Sequence, residues 1–240
     1  MKYCKILMLI EVGTVYKMGS HSGPKNNSFD SVIFAIDAGN IRSYSGSGNT
    51  VLGLKSGSSF TLSTATFSGS GATAAYVFSG TGSILSSNNT GISAAVSRTL
   101  TCWVRFSSKA IQCVLSIGAN GANTGYSLET SSTVWLFGYG NSGTASTITY
   151  DINQWYHVAL VGTFVSGTTL NSSLYINGTL RQSNSNASIN TTNSVFRIAS
   201  NPAGTLSLNG SVSQAKVYNK ALSADDITEH FEDYRKRYGV

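Results

Sequence analysis

From residue 99 to residue 106 the chain alternates without interruption: Leu100, Cys102, Val104 and Phe106 share one parity, and Thr101, Trp103 and Arg105 the other. A pleated strand sends successive side chains to opposite faces, so this run commits the chain to β-structure with bulky groups on both sides. Similar short runs recur, each closed by Gly, Ser, Asn or Thr clusters that favour turns. Residues 31–37, 59–62, 75–78, 111–117, 133–139, 155–161, 173–176, 179–182, 195–199 and 211–218 read as further strands, and 43–48 and 80–91 as polar loops. Residues 99–106 and 111–117 read together as a hairpin, the second strand with Ile111, Cys113, Leu115 and Ile117 in phase. Asn177-Gly178 joins two runs directly, and that pair tolerates positive φ at both turn positions, the strongest hairpin signal in the chain. The number of short strands predicts an all-β, two-sheet antiparallel jelly-roll sandwich.

One helix is predicted over 223–238. Ser223 precedes an acid three residues on, Asp226, in capping-box spacing, and Ile227, Phe231, Tyr234 and Tyr238 recur at helical intervals. This face should pack on the sandwich. The organisation expected is an N-terminal extension over 1–30, then one domain over 31–240.

Charged residues make up 11% of the chain while 41% are apolar, including 12 Tyr, 10 Phe and 3 Trp, enough for a packed core and unlike a disordered chain. The formal charge of +6 is spread thinly; its one tight cluster, Arg235-Lys236-Arg237, falls in the last helical turn, where cations complement the dipole. No basic stripe tracks phosphates, so nucleic acid is not expected as a partner. No apolar run is long enough for a membrane span. Met1 to Lys5 followed by Ile6 to Ile10 has the order of a signal peptide, but the apolar run ends at Glu11, too short for one, and Met18 is an alternative start. Synthesis in the cytoplasm is the expectation. Of Cys4, Cys102 and Cys113, the last two fall on the apolar parity of their strands and read as buried free thiols, a bridge between them depending on register.

Three stretches together resemble the concanavalin A-like, laminin-G-type jelly-roll family: Thr99-Leu100-Thr101-Cys102-Trp103-Val104-Arg105; Gln154-Trp155-Tyr156-His157-Val158-Ala159 through Leu174-Tyr175-Ile176-Asn177-Gly178; and the run from Asn209 through Tyr218-Asn219-Lys220-Ala221-Leu222-Ser223. A narrower likeness lies in Ala35-Ile36-Asp37-Ala38-Gly39-Asn40, continuing through Ser43-Tyr44 to Gly46-Ser47-Gly48, and in Arg237-Tyr238-Gly239-Val240. These ends are similar to those of laminin-G-like structural proteins of tailed bacteriophages, especially cyanophages. That resemblance implies a non-enzymatic virion component, foremost a capsid decoration protein on the outer shell, bound to the major capsid protein or to a tail protein and forming a homo-oligomer on the particle. The alternative is a lectin-like tail or fibre adhesin that binds host surface polysaccharide.

Candidate chemistry is sparse. Glycoside hydrolases of this superfamily need two flanking carboxyl groups, yet five of the 10 acids lie in the terminal helix, and only Glu129 and Asp151 fall between Asp37 and that helix. His157 sits in a strand, in phase with Trp155, Ala159 and Val161, and reads as a packed histidine; His21 lies in the N-terminal tail and His230 at the boundary of the helix face. No catalytic residue is assigned. Laminin-G-type domains often hold calcium at one rim; Asp37, Glu129 and Asp151 are the available side-chain donors, nothing in the sequence makes them converge, and no metal or other cofactor is assigned. Trp135, Phe137 and Tyr139 are the candidate carbohydrate- or partner-binding aromatics, weighed against a core role, and Phe29 and Val32 the candidate capsid attachment.

Overall fold

The computed structural model describes residues 29–55, 57–139 and 142–240. Two antiparallel eight-stranded sheets face each other. The first contains β1 (Val32–Asp37), β4 (Thr66–Ser68), β5 (Ala75–Ser79), β7 (Arg98–Phe106), β12 (Trp155–Ser166), β13 (Thr169–Ile176), β14 (Thr179–Ser188) and β16 (Asn209–Tyr218). Its order is β14-β13-β12-β7-β16-β5-β4, with β1 paired to the second half of β16. The second contains β2 (Thr50–Leu52), β3 (Ser59–Ser63), β6 (Ser83–Asn89), β8 (Gln112–Gly118), β9 (Gly125–Thr130), β10 (Val134–Tyr139), β11 (Ser142–Thr149) and β15 (Val195–Ile198), in the order β11-β10-β9-β8-β15-β6-β3-β2. The single α-helix among the described residues, α1 (Ala224–Tyr238), follows β16.

The alternation in β7 maps directly onto this architecture. Leu100, Cys102, Val104 and Phe106 enter the core between the sheets, with Tyr156, Val158 and Leu160 of β12 and Val212, Ala215 and Val217 of β16 beside them. The opposite parity, Thr101, Trp103 and Arg105, faces away from that core. A two-sided apolar pattern requires a cover on both sides, and α1 supplies the second one. Its start is fixed by the capping box: Ser223 Oγ accepts from the Asp226 amide at 3.1 Å, while Asp226 Oδ2 accepts from the Ser223 amide at 2.9 Å. Gly239 closes it in the left-handed conformation, φ 70°.

Three local readings are corrected. Strands β7 and β8 do not form a hairpin: β7 pairs with β12 and β16, β8 with β9 and β15, and the connection between them crosses from one sheet to the other. The expected phase in β8 breaks at a register shift between Cys113 and Leu115, so that Val114, Leu115 and Ile117 all enter the core, whereas Ile111 is 62% exposed. Residues 80–91 are not all loop, because Ser83–Asn89 forms β6 between β3 and β15. Only Ile84 of that strand joins the apolar core, and pairing on both edges holds it despite its Ser and Asn content. Cys102 and Cys113 are buried free thiols, Cys102 on the parity that the sequence indicated and Cys113 despite the break in phase before Leu115.

The Asn177-Gly178 hairpin forms as expected, with φ of 51° and 77° and Ile176 opposite Thr179. Its turn sits under α1: a Cβ on Gly178 would lie 3.1 Å from the Phe231 ring. Gly178→Ala therefore combines positive-φ strain with a contact in the helix interface, and is expected to lower unfolding free energy by about 1–3 kcal/mol in urea titrations. On the far edge, Gln182 zips the sheets together, its Oε1 accepting from the Thr147 amide at 3.2 Å and its Nε2 donating to Ala145 O at 3.4 Å.

Candidate binding surface

The outer face of the first sheet, beneath and beside α1, gathers most of the chemistry-bearing side chains. At its centre Trp103 stacks on Tyr238 at 4.0 Å and on Phe231 at 5.9 Å between ring centroids. Beside this stack lie His157 of β12, Lys216 of β16 and His230 of α1. Both histidines are 3% exposed. Burial, reinforced by His230 and Lys216, lowers the His157 pKa to about 3; burial and Lys216 lower that of His230 to about 4. The cavity they share, lined also by Cys102, Gln214 and Tyr234, is about 10 Å³, space for one water at most. These groups are placed to hold the helix, and no substrate fits among them.

The helix end is fastened by a bidentate ion pair. Arg237 Nη1 and Nη2 donate to the two carboxylate oxygens of Asp37 at 2.9 and 2.8 Å; Nη2 also donates to Ser213 Oγ at 3.0 Å and Nε to Ala72 O at 2.7 Å. Gln214 Nε2 donates to Asp37 Oδ2 at 2.8 Å. Gly39 is required here, since a Cβ at that position would overlap both the Arg237 guanidinium and the Gly71 carbonyl. The two terminal stretches singled out in the sequence, around Asp37-Ala38-Gly39 and Arg237-Tyr238, thus meet in one clasp.

Next to the clasp the surface opens into two grooves that share Trp155 and Tyr238 as walls. One, about 270 Å³, is lined by Ser68, Thr73, Val77, Arg105 and Arg237 in addition; the other, about 420 Å³, by Asn153, Gln154, Tyr156 and Asn177. Trp155 is the outward-facing residue opposite Arg105, whose guanidinium lies 5.3 Å from its ring centroid, and Tyr238 packs against it at 5.0 Å. An aromatic wall flanked by amides, hydroxyls and a guanidinium combines an apolar face with directed hydrogen-bond donors.

The model of the Laminin_G_3 family, described as the concanavalin A-like lectin/glucanases superfamily, matches residues 78–228, more than half of the chain. The chain belongs to the concanavalin A-like lectin/glucanase superfamily. No curated protein sequence matches it. Solved structures with this superfamily fold include domain 4 of the extracellular arabinanase AbnA of Geobacillus stearothermophilus, determined with arabinotriose, at 16% identity and a TM-score of 0.59 over 82% of this chain and 97% of that one. Trypanosoma rangeli sialidase with sialic acid gives 15% and 0.63, over 87% of this chain and 34% of the sialidase. Botulinum neurotoxin type C, in a study of cell entry dependent on two ganglioside molecules, gives 16% and 0.59, over 87% of this chain and 52% of the toxin chain. This chain therefore spans about a third of the sialidase and half of the toxin chain. At these identities the likeness establishes the fold alone.

Within the superfamily fold, the aromatics expected to bind ligand are placed otherwise. Trp135 is 0% and Phe137 1% exposed, both in the core between the sheets, where Trp135 packs edge-on against Phe106 at 5.2 Å. Strand β10 had two possible phases, and burying the larger aromatic set removes more apolar area from water than burying Val134 and Leu136. Val32 is also corrected: it is 5% exposed, packed with Tyr218, Leu222 and Ile227 beneath α1, and is not free to attach to a capsid. The side chains of Tyr139 and Phe29 lie outside the described residues, as do Cys4, Met18, His21 and nearly all of the 1–30 extension. His230 is buried, not at a boundary, because α1 lies flat on the sheet.

The three acids considered as donors or catalysts stand apart. Asp37 is held by Arg237 and Gln214. Glu129, on the second sheet, accepts from Ser127 Oγ at 2.7 Å, with its pKa raised by burial. Asp151 is exposed, 3.8 Å from Lys109. Among the described residues no three His, Cys, Asp or Glu side chains converge as a metal site, and no helix is long and apolar enough to cross a membrane. The residue missed from sequence is Trp155. Its signal was its place as the first residue of β12, directly after the polar turn Asp151-Ile152-Asn153-Gln154, one strand away from Arg105.

Proposed function

We propose that the chain is a non-enzymatic carbohydrate-binding module that takes an oligosaccharide across the Trp155 wall. The observation that carries this reading is the pair of adjoining grooves with one indole between them, bordered by Asn153, Gln154 and Asn177 on one side and by Arg105, Ser68 and Thr73 on the other. Sugars present apolar C–H faces and ring hydroxyls, which an aromatic wall and side-chain amides match. Neither groove has an Asp or Glu side chain in its lining, which favours binding over hydrolysis, since that needs two carboxyl groups roughly 5–9.5 Å apart around one bond. Superfamily relatives solved with arabinotriose or studied with gangliosides support the same class of ligand. Trp155→Ala is expected to weaken glycan binding roughly tenfold or more on arrays and by calorimetry, with the fold retained. Unaltered binding by that variant would remove the grooves as the site.

A second reading, a virion component and foremost a capsid decoration protein, rests on the sequence resemblance of the two terminal stretches alone. The two readings coincide in a virion-borne adhesin and differ in location. Cryo-electron microscopy of the particles tests them: density at regular lattice positions on the shell supports decoration, and density confined to the tail supports the adhesin.

A further inference from the structure

Resting on the carbohydrate-binding reading, we propose that the two grooves are chemically distinct subsites and that the one containing Arg105 takes a carboxylate-bearing sugar. The lining of the smaller groove includes two guanidinium groups, Arg105 and Arg237, and no carboxylate. Arg237 is committed: its donors are occupied by Asp37, Ser213 and Ala72. Arg105 is not. Among the described residues no acid forms an ion pair with it, and its partner is the face of Trp155 at 5.3 Å. A guanidinium laid on an indole keeps its planar edge directed and partly desolvated, the arrangement suited to grip a carboxylate with two parallel hydrogen bonds.

The surroundings fit that ligand better than a phosphate chain or a neutral sugar alone. Ser68 and Thr73 provide hydroxyls along the same groove, and Val77, Ala72 and Ala75 an apolar floor, so the site offers one strong anion contact within a mixed wall. A volume of about 270 Å³ falls just below the range of small-molecule pockets, roughly 300–1,000 Å³, and suits a single substituted ring in place of an extended polymer. Across Trp155, the larger groove carries Asn153, Gln154 and Asn177 and no charged side chain, which suits the hydroxyls of a neutral neighbouring sugar. The shared indole wall makes the two rings parts of one oligosaccharide.

The test uses the full chain on an array that pairs carboxylated glycans (polygalacturonate, alginate and polysialic acid fragments) with their carboxyl-reduced forms and with neutral glycans. The wild type is expected to prefer the carboxylated member of a pair. Arg105→Gln keeps most of the stem against Trp155 and is expected to weaken carboxylated ligands by about 10–100-fold more than their reduced forms, so abolishing the preference. Trp155→Ala should weaken both forms. Binding of neutral glycans only, or Arg105→Gln with an undiminished preference, overturns the acidic subsite while leaving the carbohydrate reading in place. Absence of any glycan binding by the wild type overturns both. Equal competition by polyglutamate overturns the sugar specificity, since charge alone would then be read.

Discussion

Acidification from about pH 7 to about pH 4 is expected to release the C-terminal helix from the sheet before the sandwich itself unfolds. His157 and His230 are each 3% exposed, and their pKa values in the docked state are about 3 and about 4. Exposed to water, both titrate near 6.5. Between these limits the undocked state binds more protons than the docked one, so docking free energy is complete above pH ~6.5 and declines as pH falls toward the docked-state values. Two groups with depressed values of this size correspond to roughly 3–6 kcal/mol over that window, comparable to what a packed helix contributes. The groups that face the two imidazoles work in the same direction or offset it weakly. Lys216, whose own pKa is lowered by burial, repels both imidazolium forms, and Asp226 favours protonation of His230. Tyr234, Gln214, Thr101 and Cys102 complete the lining without a compensating charge there. The measurement is tryptophan fluorescence and hydrogen exchange of α1 against pH, with His157→Asn and His230→Asn each expected to flatten the slope by about one proton. A helix as protected at pH 4 as at pH 7 would refute the linkage.

The same helix shows what the sequence could and could not convey. Its limits, cap and buried face were legible because they are local: Ser223 and Asp226 are three residues apart, and Ile227, Phe231 and Tyr238 lie on one helical stripe. The hairpin at Asn177-Gly178 was legible for the same reason, and so were the two faces of β7. Matters decided by distant partners were not. The crossing between β7 and β8 leaves no local trace, because each strand has an apolar face whichever sheet it joins. The inward phase of Trp135 and Phe137 followed from competition between two bulky parities of β10, decided only when Phe106, Tyr150 and Tyr156 supply the facing surface. Arg98, fully buried, was unreadable in the same way: its guanidinium donates to Ala94 O at 2.6 Å and its Nε to Val96 O at 2.7 Å, holding a loop whose course no periodicity encodes. The candidate site shares this character. Trp155 and Arg105 are 50 positions apart and become neighbours only through the β7–β12 register.

The clasp at the end of α1 is where a single substitution should have its largest effect. Arg237→Ala removes the two guanidinium donors of the Asp37 carboxylate, whose side chain is 14% exposed, and leaves it the Gln214 amide and the Gly39 N–H but no cation. Stranding a mostly buried charge typically costs 3–5 kcal/mol, and the residual exposure places the expected loss at about 3 kcal/mol. The pair itself is worth much less than that. Asp37→Asn combined with Arg237→Gln removes both charges, retains hydrogen-bonding ends, and is expected to recover about half of the loss, a coupling that a double-mutant cycle in urea would measure. Arg237→Lys should resemble the alanine variant more than the wild type, because one ammonium cannot reach the two Asp37 oxygens, Ser213 and the Ala72 carbonyl that the guanidinium spans. Equal stabilities for Arg237→Ala and the neutral pair would mean that packing of the arginine stem, not charge, fastens the helix. The consequence reaches the grooves, since Tyr238 follows Arg237 directly and forms a wall of both. Loosening the clasp from its Asp37 side, which lines neither groove, should therefore weaken ligand binding through Tyr238, whereas Arg237 variants also alter the lining of the smaller groove directly.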